Sequence, residues 1–205
     1  MNTQKPTTLA SRLLLFVTLL FSSTMVQATM IHFHADMSGP AEAVANNSTG
    51  MGIADVYLDD VAKTMEVKVT FWDLVGVTTA SHIHAATALP NVGAAGVATE
   101  TPTFGGFPLG VTAGSYDHFF DLTLSASFNS AFITANGGTV ASAFTAFENA
   151  LLAEEAYLNI HTRTFGGGEI RGFLHAVPDS ASTALLLSLG LSGLAVLSRR
   201  QRLCA

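Results

Sequence analysis

Tyr157-Leu158-Asn159-Ile160-His161, a glycine-ending connection from Thr162 to Gly168, and then Glu169-Ile170-Arg171-Gly172-Phe173-Leu174-His175 carry the plainest structural signal in the chain. Both flanks alternate apolar and polar residues, and Gly166-Gly167-Gly168 supplies the turn, so the segment reads as an antiparallel hairpin. With Leu158, Ile160, Ile170 and Leu174 facing inward, Tyr157, Asn159, His161, Glu169, Arg171 and Phe173 share the opposite face. Glu169 beside Arg171 on that face predicts a charge-assisted pair bracing His161 or Asn159.

The same period of two recurs along the rest of the chain. In Met30–Met37, Ile31, Phe33 and Ala35 lie opposite His32, His34 and Asp36. Gly52–Leu58 and Met65–Phe71 flank a turn at Asp59–Thr64, with Met65, Val67, Val69 and Phe71 on one side. Ala80–Ala85 puts His82 and His84 together, opposite Ile83. His118–Ser127 alternates again, whereas Phe144, Phe147, Leu151 and Leu152 fall at helical spacing within Val140–Glu155. Residues 86–114 form a Gly/Pro/Ala/Thr stretch, and a connection that long is either functional or hides a short strand. The expected fold is all-β: a β-sandwich or small barrel with one short helix.

The ends set the cellular address. Leu13–Phe21 is apolar, follows Lys5 and Arg12, and is too short to span a bilayer as a mature helix. Val26-Gln27-Ala28 places small residues at the cleavage positions, so residues 1–28 read as a signal peptide cut after Ala28. Ala181–Leu197 is an apolar helix near the lower limit for a membrane span, and Arg199, Arg200 and Arg202 follow it and belong on the cytoplasmic side. Thr29–Ser180 contains all fifteen Asp and Glu residues against four basic ones, a net of −11, which argues against a nucleic-acid partner. The only cysteine, Cys204, lies beyond the second apolar stretch, so the exported body forms no internal disulfide.

Two resemblances follow from these residues. Val177-Pro178-Asp179-Ser180, then an apolar helix, then the arginines, resembles a PEP-CTERM sorting tail of the VPDS type over residues 177–205. That resemblance implies a Gram-negative source, an exosortase-like processing enzyme, transient anchoring in the inner membrane and display at the outer surface. Ser81-His82-Ile83-His84 with Tyr157–Thr162 and Gly167–Leu174, preceded by His34–Gly39, Glu42 and Gly50-Met51-Gly52, resembles the CHRD domain over residues 29–176. It implies an extracellular Greek-key or immunoglobulin-like module without established catalytic residues. The chain departs from that family after His84, where Ala-Ala-Thr-Ala-Leu-Pro and a longer insertion replace a compact glycine-rich loop.

Two readings of the polar residues stay open. In one, His82, His84, Asn159, His161, Glu169 and Arg171 form a structural cluster, with the histidines bonded to backbone and carboxylates at a half-buried seam. The other makes His82, His84 and His161 a copper or zinc site, with His118, His32 and His34 as further candidate ligands. The spacing of His82 and His84 is similar to that of copper–zinc superoxide dismutase, although the dismutase's zinc-loop histidines and disulfide have no counterparts here. No nucleophile elbow, phosphate cradle or calcium loop is present. The sequence therefore predicts a non-enzymatic surface protein that binds extracellular polysaccharide or a matrix protein, or a metal-binding domain with dismutase-like redox activity.

Overall fold

Three long strands carry the clearest alternation and form a meander in unbroken register. These are β1 (Met30–Ser38), β2 (Met51–Asp59) and β3 (Thr64–Trp72). In this computed structural model, which describes residues 30–178, one face of the meander is sealed. Phe33, Ala35, Met37, Ala54, Val56, Leu58, Met65, Val67, Val69 and Phe71 are all buried there. The β2–β3 turn is held by Asp59, whose carboxylate accepts from the backbone N–H groups of Val61 and Ala62.

The remaining strands extend this sheet on both sides. β5 (Gly114–Asp121) pairs with β3. On the other side, β4 (Thr78–His84), β6 (Tyr157–Thr162) and β7 (Ile170–Phe173) add in the order β4-β6-β7-β1, and β8 (His175–Ala176) also pairs with β1. Every pairing is antiparallel. The sheet curls into a half-barrel. The segment leading into β5 runs beside the start of β4, where the Thr78 N–H donates to the Val111 carbonyl and the Thr78 carbonyl accepts from the Gly110 N–H. Of the two all-β arrangements expected, this is the barrel-like one. Gly172 is needed where β7 crosses β1, because a Cβ there would strike the Asp36 carbonyl oxygen.

Two α-helices, not one, occur among the described residues, α1 (Ser130–Ala135) and α2 (Val140–Leu152), together with a single 3-10 turn at Ser125–Ser127. Six residues are too few to register as periodicity in a sequence, and α1 is marked only by its cap, Asn129, which accepts from the Ala131 N–H. Thr139 and Ser142 cap α2 reciprocally. Phe144, Phe147 and Leu151 of α2 join the strand residues in one hydrophobic core. β5 begins four residues earlier than expected and stops at Asp121, whose side chain accepts from the backbone and hydroxyl of Thr123 and turns the chain. No helix among the described residues is long and apolar enough to cross a membrane. The expected signal peptide, its cleavage at Ala28, and the tail from Asp179 through Arg199, Arg200 and Arg202 lie outside the described residues.

Candidate metal centre

The β4-β6-β7 part of the sheet is buried on both faces. Ile83, Leu158, Ile160, Ile170 and Leu174 face the hydrophobic core, as the alternation predicts. The opposite face carries a polar layer, roofed by the long segment after β4 and the connection after β1. Register sets its rows: His82 faces Asn159, which faces Arg171, while His84 faces Tyr157, which faces Phe173. His161 lies opposite Ala80, one step along β6 from Asn159 on the same face.

Three imidazoles converge in this layer. One nitrogen from each of His82, His84 and His161 lies within 4.8 Å of the other two, and His82 and His84 are only 5% and 7% exposed. His82 Nε2 is 2.6 Å from the Pro102 carbonyl oxygen, His84 Nδ1 2.9 Å from that of Ala95, and His161 Nδ1 3.0 Å from that of Gly166. A carbonyl only accepts, so each of these ring nitrogens must be the N–H donor, and each neutral ring carries its lone pair on the other nitrogen. Those other nitrogens, His82 Nδ1, His84 Nε2 and His161 Nε2, are buried and have no hydrogen-bond partner. Burial pushes the pKa of all three rings down, that of His84 to about 4, against the opposing effect of the carbonyl bonds. The cluster is therefore neutral at pH 7.

The surroundings fix the rings. Tyr157 stacks on His84 at 4.9 Å, and its hydroxyl donates to the same Ala95 carbonyl that accepts from His84. The Arg171 guanidinium lies 4.7 Å from the centre of the Tyr157 ring and donates to the carbonyls of Ala41 and Gly93.

The other predicted residues sort differently. Arg171 does not pair with Glu169. Its nearest carboxylate is Glu42, at 4.0 Å. Glu169, fully buried, accepts from Ser48, Thr162 and the backbone N–H groups of Val75 and Gly76. Glu169 lies just before β7 rather than within it, and its carboxylate is held by Thr162 and residues 48 and 75–76 while Arg171 bonds residues 41 and 93, so the expected pair does not form. Burial raises the pKa of the Glu169 carboxyl, but these bonds outweigh it and hold the group below its ordinary range. Asn159 donates to Glu42, not to a histidine. His32 and His34 share Asp55 on the outer face of the meander, and His118 packs between Tyr116 and Phe120, so none joins the three-histidine group.

Glu42 is a buried acid that the sequence flagged only as part of a motif. Its side chain is 6% exposed, and burial raises its pKa to about 7 despite Arg171. Glu42 Oε1 and Asn159 Oδ1 both lack partners, and both lie 2.6 Å from where a Gly168 Cβ would stand. Two acceptor oxygens left this way are reconciled by one proton on Glu42. Glu42→Gln supplies an N–H in place of that proton, so it is expected to match wild-type stability at pH 4.5. A group whose pKa rises on folding stabilises below its unfolded value and loses that contribution as pH climbs through its folded value. The wild type should therefore fall about 3 kcal/mol behind the glutamine variant between pH 4.5 and 8, read by denaturant unfolding. Parallel pH profiles would show that Glu42 is not protonated.

This is a small exported-type β module: a curled antiparallel sheet with a buried polar layer on its outer face. The CHRD domain model matches residues 33–174, and the chain belongs to that family, which is not an enzyme family. A VPDSG-CTERM motif matches residues 176–201, with Ala181 standing where that motif's glycine falls. A CHRD domain followed by this sorting motif marks an exported, surface-associated protein, and the motif implies processing by an exosortase-like enzyme and membrane association. No curated protein and no solved structure matches the chain.

Proposed function

We propose that the exported module of residues 29–176 holds one copper or zinc ion at the cell surface on His82, His84 and His161. One observation supports this above all: three buried imidazole nitrogens have no partner, while the opposite nitrogen of each ring is bonded to a backbone carbonyl. Histidines serving only to fasten a seam would satisfy both nitrogens, since a buried polar atom without a partner costs about 1–3 kcal/mol. Metal-ligating histidines instead commonly donate their second N–H to a carbonyl, which fixes tautomer and orientation. Neutral imidazoles are the ligating form, and burial keeps all three neutral. Metal holding therefore stands ahead of the adhesive role expected from the sequence. A cavity walled by residues 42–46 together with Phe165, Gly167 and Gly168 offers a saccharide a single aromatic ring, Phe165, to stack on.

Titration of the full chain in detergent, stripped of metal and supplied with copper or zinc, tests this. One equivalent is expected to bind, with a stabilisation of about 2.7 kcal/mol at a free metal concentration a hundred times Kd. His175→Ala, at an exposed position paired with Glu154, should leave both unchanged. Absence of stoichiometric binding by either ion would remove the proposal.

A further inference from the structure

We infer that the three-histidine centre selects copper in its cuprous state over the dications Zn(II) and Cu(II). The inference rests on the metal reading above and adds to it the charge, geometry and surroundings of the donor set.

Charge comes first. The group consists of three histidines, with no carboxylate or thiolate among the converging atoms. Each is neutral, so a bound ion keeps its whole charge inside the protein. The cost of burying an ion grows with the square of its charge, which makes a dication about four times as costly as a monocation in the same site. His82 and His84 are almost fully buried, so water does little to screen that cost.

The nearest fixed charge adds to the effect. Arg171 is 4% exposed and lies over Tyr157, whose other neighbour is the His84 ring. Its guanidinium always carries a positive charge and so repels a bound cation, twice as strongly for a dication. Glu42, the carboxyl facing Arg171, offsets this only while ionised, and at neutral pH it is partly protonated.

Geometry points the same way. Zinc completes a tetrahedron and Cu(II) prefers a tetragonal arrangement, so each needs at least one further ligand. Cu(I), a filled-shell ion with no such demand, is satisfied by three imidazoles. Pro102 and Ala95, both on the segment after β4, and Gly166 on the β6–β7 connection anchor the rings, so adding a fourth protein ligand would break carbonyl bonds, and water is left as the only further ligand in a site that burial keeps nearly dry. Taken together, ligand neutrality, a buried guanidinium and a preset three-nitrogen group favour the lower oxidation state.

The experiment uses the full chain in detergent, loaded with one equivalent of copper under ascorbate, freed of reductant and then exposed to air. The copper is expected to remain silent in electron paramagnetic resonance, and a hundredfold excess of Zn(II) should not displace it. Arg171→Gln, which keeps a donor for the Ala41 carbonyl, should shift the balance toward Cu(II) about tenfold, or 59 mV for this one-electron couple. A full Cu(II) signal in air, or ready exchange for zinc, would overturn the inference while leaving a metal centre in place. Failure of both ions to bind would remove the centre itself. Should Arg171→Gln not fold, the oxidation state and zinc competition of the wild-type chain decide the matter alone.

Discussion

Glu169→Ala is expected to destabilise the domain by about 3–4 kcal/mol at pH 7, read as a lower denaturant midpoint for the full chain. The carboxylate accepts from Ser48 Oγ at 2.6 Å, Thr162 Oγ1 at 2.6 Å, Val75 N at 2.5 Å and Gly76 N at 3.0 Å. Removing it strands four donors, each worth about 1–3 kcal/mol when left unmatched in the interior. The full sum is not reached, because the substitution also abolishes the cost of keeping a charge out of water. Glu169→Gln should fall between the two, since its amide nitrogen points donor against donor at two of the four contacts. The pKa of this carboxyl is lowered on folding, so its contribution is present above the unfolded value of 4.5 and is lost as pH falls below it. Equal midpoints for wild type and Glu169→Ala would end the argument that this carboxylate ties the hairpin to residues 48 and 75–76. A second consequence concerns Arg171. Because the two side chains bond to different segments, the effects of Glu169→Gln and Arg171→Gln should add to within about 0.5 kcal/mol. A larger coupling would restore the pair that their shared strand face suggests.

That contrast shows where alternation stops being informative. The period of two placed Leu158, Ile160, Ile170 and Leu174 in the core and put His82, His84 and His161 on one face, because strand geometry fixes which way a side chain leaves the backbone. Alternation says nothing of what covers that face. Thr162 apart, the partners of Glu169 and Arg171 come from residues far away in the chain, and the acceptors that orient the histidines are carbonyls of Ala95, Pro102 and Gly166, whose side chains carry no signal. Only the length of the stretch after His84 hinted at their role. It forms isolated bridges, Val97 to His84 and Thr99 to Phe128, and closes over β4. The long segment after β4 is thus what locks two of the three rings. Glu42 was visible as a motif residue, but its raised pKa depends on burial by parts of the fold that the sequence leaves unspecified.

His84→Ala should lower copper or zinc affinity by at least about a hundredfold, because it removes one of three ligands and leaves no replacement nitrogen in the group. The same variant separates the metal reading from a structural one through its behaviour without metal. In the apo-domain the His84 pKa falls from 6.5 unfolded to about 4 folded, chiefly through burial. Between those values the unfolded chain binds more protons than the folded one, so stability drops as pH falls from 6.5 toward 4. That acid limb is worth about 3 kcal/mol for a histidine held neutral across it, and His84→Ala should flatten it by that amount. The Ala95 carbonyl keeps its bond from Tyr157, so the variant strands no acceptor there. A histidine that served only the fold would be missed most when no metal is present. Here the larger loss is expected when metal is supplied, because wild type alone gains binding energy there while the apo-variant becomes the more acid-resistant protein. Equal metal responses in the two proteins, with the acid limb unchanged, would make His84 an ordinary buried side chain and the three unpartnered nitrogens a coincidence of packing.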